Sequence, residues 1–253
     1  MNLDAEGRAF TSVVWLGRAR SEARAVPAFC SLLDDLDAMQ APHALVDIAH
    51  RALDEEAEHA RLCLELASEY ASRRLLMPEH AYVRPELTNA PAELRPLLRV
   101  LLVAALSETV SSSFIELAWR QATAPAVHAL FHNLLEDEVD HARLGWAALA
   151  LPYVTDEMRA LLGGYLPELV SGILAQWQSA PLVPRDDLRG HGVLPWQTVS
   201  THTTTALRDL VLPGFETLGV DVGPARRMLD ARPPAHPTTA LVYRDGTVRV
   251  VST

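Results

Sequence analysis

Two stretches of this 253-residue chain carry the same pattern of acids and a histidine. Asp54-Glu55-Glu56-Ala57-Glu58-His59-Ala60-Arg61-Leu62 aligns with Glu136-Asp137-Glu138-Val139-Asp140-His141-Ala142-Arg143-Leu144, displaced by 82 residues. Upstream, Ser21-Glu22 corresponds to Ser107-Glu108, displaced by 86. Each half of the chain therefore offers a Glu and then a Glu-x-x-His, as a duplicated helix hairpin would. On an α-helix, residues i and i+3 lie about 60° apart and one turn up, so both side chains of Glu-x-x-His reach one interior point. Four carboxylates and two imidazoles make a ligand set for two divalent metals, whose charge of +4 the carboxylates would balance. Without a cation, each carboxylate on an apolar seam would face a desolvation penalty of several kcal/mol, or stay partly protonated. A lone Glu-x-x-His arises often by chance. Two copies, each with a matching upstream Glu, favour a metal centre over a purely structural polar layer. The candidate metal-ligating and catalytic residues are Glu22, Glu56, His59, Glu108, Glu138 and His141.

Four amphipathic segments must position them, each read as a column spaced three and four residues apart. The columns are Trp15, Ala19, Glu22, Val26, Phe29, Leu33, Leu36; then Leu45, Ala49, Ala52, Glu56, His59, Cys63, Leu66, Tyr70; then Leu97, Leu101, Ala104, Glu108, Ser111, Ile115, Ala118; and Val127, Phe131, Leu134, Glu138, His141, Gly145, Ala148. Each is the inward seam of a bundle helix, interrupted near one level by its acid or its acid and histidine. Ala41-Pro42 and Ala124-Pro125 mark short turns, although Pro125 could equally open the fourth helix. Ser72 to Glu93, with Pro78, Pro85 and Pro91, is too long for a turn and predicts a crossover. Pro27 inside the first seam predicts a kink without a break.

The pattern Glu22, Glu56-x-x-His59, Glu108, Glu138-x-x-His141 resembles the ferritin-like di-iron carboxylate superfamily, over roughly residues 10 to 150. The resemblance implies an all-α, ferritin-like four-helix bundle with its long crossover between helices 2 and 3. It also implies that Glu22 and His59 hold one metal, Glu108 and His141 the other, with Glu56 and Glu138 bridging. Asp137 would then support His59, and Glu55 would support His141, since superfamily members set such an acid against the histidine of the opposite motif. The symmetric double motif is closer to the oxygen-activating and bacterioferritin branches than to animal storage ferritins. The expected cofactors are two Fe, or alternatively Mn or a mixed Fe/Mn pair, with O2 as co-substrate. The expected function is a non-haem dimetal oxygenase or oxidase acting on a small organic substrate, with an external electron donor. Alternatives are a ferroxidase, a rubrerythrin-like peroxidase, a manganese catalase, or a tRNA-modifying hydroxylase; the bland reading is a bundle without chemistry.

The remaining residues refine this picture. Cys63, Ser111, Ser112 and Gly145 are pocket candidates, because thiol, hydroxyls and a missing side chain near the ligand level would leave room for a substrate. His128 and His132 share a face but read as surface histidines, and Glu116 as a solvated acid. Trp15, Trp119 and Trp146 read as core, and Tyr70 lies too far along its helix for a radical role. Arg61 and Arg143 can pair with Glu58 and Asp140 at i, i+3. All 22 basic side chains are Arg, and against 32 acids they leave a net charge of −10, which argues against nucleic acid. Two cysteines without a paired motif favour a reducing compartment and exclude a rubredoxin module. The stretch Met1 to Arg8 lacks a signal-peptide pattern, and apolar runs such as Val100 to Leu106 fall far below the ~20 residues of a membrane span. A soluble, cytoplasmic protein, with room for a homodimer, is the expectation. Residues 1–253 read as one domain: the core at 10–150, then an extension at 151–253. Within the extension, a helix follows Thr155 to about Gly163 and restarts at Pro167. Ser179 to Gln197 reads as loop, Thr203 to Gly219 as a helix broken near Pro213, and Pro224 to Ala231 as another. A β-hairpin at about 241–251 turns on Asp245-Gly246 and packs on the bundle or on a neighbouring subunit.

Overall fold

The seams fold as helices in a computed structural model that describes residues 3–79 and 81–253; Met1, Asn2 and His80, which belong to the N-terminal stretch and the crossover, lie outside the described residues. Helix α1 spans Ala5–Ala38 and runs unbroken through Pro27. Asp4 caps it, accepting a hydrogen bond from the Gly7 N–H at 2.7 Å. Helix α2 spans His43–Ala71 and ends on Ser72 in the left-handed region. Helix α3 runs from Arg95 to Gln121, but Leu101–Ser107 is wound as π-helix immediately before Glu108. Helix α4 spans Pro125–Leu149, so Pro125 opens it, where its missing N–H is harmless.

These four helices pack α1 along α2, α3 along α4, α2 on α4 and α1 on α3. Two apolar clusters fill the interior. One is built around Phe29, Leu36, Ala52, Ala104 and Leu144; the other around Trp15, Cys63, Ile115 and Phe131. On every helix the candidate ligands fall between the two, so a polar layer separates apolar ends. Helix α3 is the one among the described residues long and apolar enough by length and composition to cross a membrane. It carries Glu108 and lies mostly buried among its neighbours, as a core helix does.

The crossover of residues 72–94 is tied down by Asp35, which is 1% exposed. Asp35 accepts hydrogen bonds from Arg84 at 2.8 Å and from Arg99 Nε at 2.9 Å, joining α1, the crossover and α3. Tyr82 adds a 3.2 Å hydroxyl contact to Ser31. Removing one partner of such a network strands the others. Asp35→Ala is therefore expected to lower stability by about 3 kcal/mol. A fall in urea midpoint with unchanged metal content is the result to look for.

The extension differs from expectation in three places. Helix α5, Asp156–Gln178, starts on a Thr155 cap but passes through Gly163 and Pro167 without interruption. A proline inside a helix costs about 3 kcal/mol. Leu162, Leu166, Leu169, Val170, Ile173 and Leu174 are all buried along the same rod, and each buried side chain of this size gains about 1.5–3 kcal/mol, so packing wins. The expected loop at 179–197 contains a 3-10 turn, Asp186–His191. Helix α6 begins at Trp196 rather than Thr203, its segments Trp196–Ala206, π-helical Leu207–Val211 and Leu212–Thr217 running on without a gap. The added first turns are anchored by Trp196 and Ser200, both buried, and farther on the Thr203 and Thr204 hydroxyls bond backward to the Val199 and Ser200 carbonyls. Helix α7 is Gly223–Ala231. Strands β1, Thr239–Arg244, and β2, Thr247–Ser252, form an antiparallel hairpin. Asp245 and Gly246 both have positive φ, 50° and 78°, as a type I′ turn requires. The hairpin lies against α1: Leu241 is fully buried and Tyr243 meets Phe10 edge-on.

Candidate metal centre

The candidate ligands gather in two groups, each drawn from both halves of the chain, and the groups share members. Oxygen and nitrogen atoms of Glu22, Glu56, His59 and Glu138 lie within 4.8 Å of one another, as do those of Glu56, Glu108, Glu138 and His141. Glu56 and Glu138 thus belong to both groups, while Glu22 with His59 and Glu108 with His141 sit at the two ends. Glu56, His59, Glu138 and His141 are at most 1% exposed and Glu108 is 7% exposed. Glu22 keeps partial exposure and is the least covered of the six.

The orientation of each imidazole follows from what its outer nitrogen meets. His59 Nε2–H donates to Asp137 at 3.0 Å, and His141 Nε2–H donates to Glu55 at 2.9 Å. Both bonds cross between the two halves of the chain. Each turns Nδ1 inward: His141 Nδ1 lies 3.1 Å from Glu56 Oε1, and His59 Nδ1 lies 3.7 Å from Glu138 Oε1. None of these inner contacts has hydrogen-bond geometry. His59 Nδ1, His141 Nδ1, both Glu56 oxygens and Glu138 Oε2 are buried with no hydrogen-bond partner. These five orphaned ligand atoms, all in residues of the two groups, are costly to bury unless something binds them. A pair of divalent cations fits this set in charge and donor type.

Electrostatics agree. Burial, and then the charge of Glu56, pushes the Glu108 carboxyl up to about 8. Burial, with the charge of Glu138 next, pushes Glu22 up to about 7. Burial and neighbouring carboxylates raise Glu56 and Glu138 well above the usual range. Such shifts express the penalty of crowding four acids in an apolar layer, which a metal reverses.

The pocket candidates divide. Cys63 is buried, its thiol held neutral by burial and by the charge of Glu22. Ser111 lies near the Glu138 carboxyl and favours its charged form against the burial that raises it. Ser112 is instead spent on backbone, donating to the Glu108 and Glu138 carbonyls at 2.7 and 3.1 Å. Gly145 leaves no room either: a Cβ there would come within 2.2 Å of the Ala105 nitrogen, so its role is close passage of α4 against the π-helical turns of α3. His128 and His132 stack on Trp119, away from both ligand groups. Glu116 pairs with Arg120, Arg61 with Glu58, and Arg143 with Asp140. Tyr70 shares a 2.7 Å hydrogen bond with His191 Nδ1.

Two features were not read from the sequence. One is the π-helical stretch before Glu108, a local widening of the kind that recurs at functional sites. The other is Arg18, whose guanidinium lies over Trp15 at 4.4 Å, Phe131 at 5.0 Å and Phe114 at 5.3 Å. Its position four residues before Glu22, on the same face, was the available signal. Compared with known proteins, the chain matches no family model, no curated protein and no solved structure.

Replacing Asp137 by Asn, or Glu55 by Gln, keeps shape but weakens the hold on one imidazole. Each is expected to lower metal affinity about 10–100-fold. A competitive chelator titration reads this directly, and unchanged affinity in both variants would remove the orienting role.

Proposed function

We propose that the chain is a ferritin-like four-helix bundle carrying a two-metal carboxylate–histidine centre, and that it works as a non-haem dimetal oxygenase or oxidase. The observation that carries this reading is the pair of ligand groups sharing Glu56 and Glu138. Glu22 and His59 would hold one metal, Glu108 and His141 the other, and Glu56 and Glu138 would bridge. Iron is the favoured metal, with manganese or a mixed pair as alternatives the same donors accept. A metal pair held by these residues would supply redox chemistry for reducing O2 toward oxidation of a C–H or N–H bond of a small molecule, with an external electron donor restoring the reduced pair.

The protein's own share is positioning and exclusion of water. Asp137 and Glu55 fix the imidazoles so that each Nδ1 lone pair faces the centre. Glu22 and Glu108, held protonated in part by burial, release protons when cations enter. Beyond the bundle, residues 188–194 close the Trp15 end: Trp15 Nε1–H donates to the His191 carbonyl at 3.0 Å, and Leu188 and Val193 are buried. Helix α6 covers α3, with Ser113 bonded to His202 at 2.8 Å. Walls of this kind favour an enzyme over a storage subunit, which needs little beyond its bundle.

Anaerobic loading with Fe(II), followed by O2, tests the reading. Two irons per chain and O2 uptake in proportion to bound iron are expected. Accumulation of hundreds of irons per assembly would favour storage, and rapid peroxide breakdown by the manganese form would favour a catalase. Protein that takes up no metal would overturn the proposal.

A further inference from the structure

The metal centre leaves one buried charge without a purpose. Arg18 points its guanidinium into a cage of Trp15, Phe114 and Phe131. Nη2 donates to the Gly192 carbonyl at 2.6 Å, but Nη1 is buried and has no hydrogen-bond partner. A latch on the 186–194 segment would need only the Gly192 contact. A second, unanswered N–H on an enclosed cation is a penalty that nothing in the fold requires.

Position narrows what should answer it. Arg18 and Glu22 are one turn apart on one face of α1, and both keep partial exposure while the other five ligands are covered. This face is where the layer comes nearest to solvent. Burial pushes the Arg18 guanidinium down to about 10, while Cys63 and then Glu22 are the neighbours that favour its charge. Glu22 would be committed to a metal, and Cys63 is held as a neutral thiol. Arg18 forms no salt bridge among the described residues, so with Glu22 committed to a metal its guanidinium would lack a directly paired acid.

We propose that Arg18 is an anion subsite beside the metal centre and that the substrate is a small carboxylate with an apolar body. The single unpaired Nη1 suits one carboxylate oxygen, and the aromatic cage suits carbon rather than polar groups around it. A dianionic phosphate would bring one charge more than the guanidinium offsets. This inference rests on the dimetal reading for its substrate role, and its test is separable from it.

Acetate, benzoate and octanoate are titrated against acetamide, benzamide and octanamide, with Trp fluorescence and calorimetry as readouts, in metal-loaded and metal-free protein. At least one carboxylate should bind tenfold or more tighter than its amide. Arg18→Gln should abolish that preference and Arg18→Lys should retain part of it. Because wild-type discrimination needs no variant, a misfolded Arg18→Gln leaves the test intact. Protein that binds two metals but never prefers a carboxylate keeps the centre and loses the anion subsite. Protein that prefers carboxylates yet binds no metal keeps the subsite and loses the dimetal reading.

Discussion

Metal-free protein should become less stable as the pH rises from about 5 to 8, the reverse of ordinary acid denaturation. In the folded chain Glu108 is pushed up to about 8 and Glu22 to about 7, both by burial. An unfolded carboxyl titrates near 4.3. Below that value both states hold their protons and the folded form suffers no penalty. Above it the unfolded chain releases protons first, so stability falls steadily until the folded-state values are passed. Each group shifted this far contributes on the order of 3 kcal/mol to the fall. Cations remove the effect, because they bind the deprotonated acids. Melting curves in chelator should therefore decline from pH 5 to 8, while the metal-saturated protein stays flat or rises. A chelated protein that grows more stable toward pH 8 would mean the four acids are not buried together.

Glu56→Ala is expected to have the largest effect on metal content of any single change. Glu56 belongs to both ligand groups, and neither of its oxygens has a hydrogen-bond partner. Its loss should reduce two metals per chain to one or none, by elemental analysis. The same variant should not be destabilised when metal-free, since removing a buried, unpaired acid relieves a penalty and offsets the small cavity left behind. In the wild type, metal at about a thousand times its Kd should add about 4 kcal/mol of stability, read as a rise in Tm. In Glu56→Ala that rise should shrink or vanish. Glu116→Ala, which alters an exposed acid paired with Arg120, should change neither quantity. If Glu56→Ala kept two metals and the full rise, the assignment of Glu56 as a shared ligand would fail.

Periodicity carried the part of the fold that depends on local pattern. All four long helices, the turn at Pro42, the opening of α4 at Pro125, the crossover and the Asp-Gly hairpin follow from residue spacing and turn chemistry. Convergence of the six acids and histidines was also legible, because two seams carry Glu-x-x-His and the other two a single Glu at the matching level. What escaped was set by tertiary contact. Pro167 reads as a break because the strength of α5 comes from the buried face around it. The start of α6 at Trp196 escapes because it is held by tertiary contact, Trp196 being buried and donating from Nε1 to the Gln178 carbonyl. Gly145 looked like empty space, whereas it admits the backbone of Ala105. The π-helical turns before Glu108 have no signature in composition or spacing. Arg18 lies on the Trp15–Glu22 face, but its enclosure depends on Phe114 and Phe131 from other helices, which spacing along α1 does not show.

The crossed bonds from His59 to Asp137 and from His141 to Glu55 tie the repeat into an obligate whole. Each hairpin owns a nearly complete set of ligands but depends on the other for the acid that aims its histidine. A chain divided within residues 72–94 would yield two fragments, neither of which orients its own imidazole until they associate. Either carboxylate serves in this role, since Glu55 and Asp137 are different residues in equivalent places.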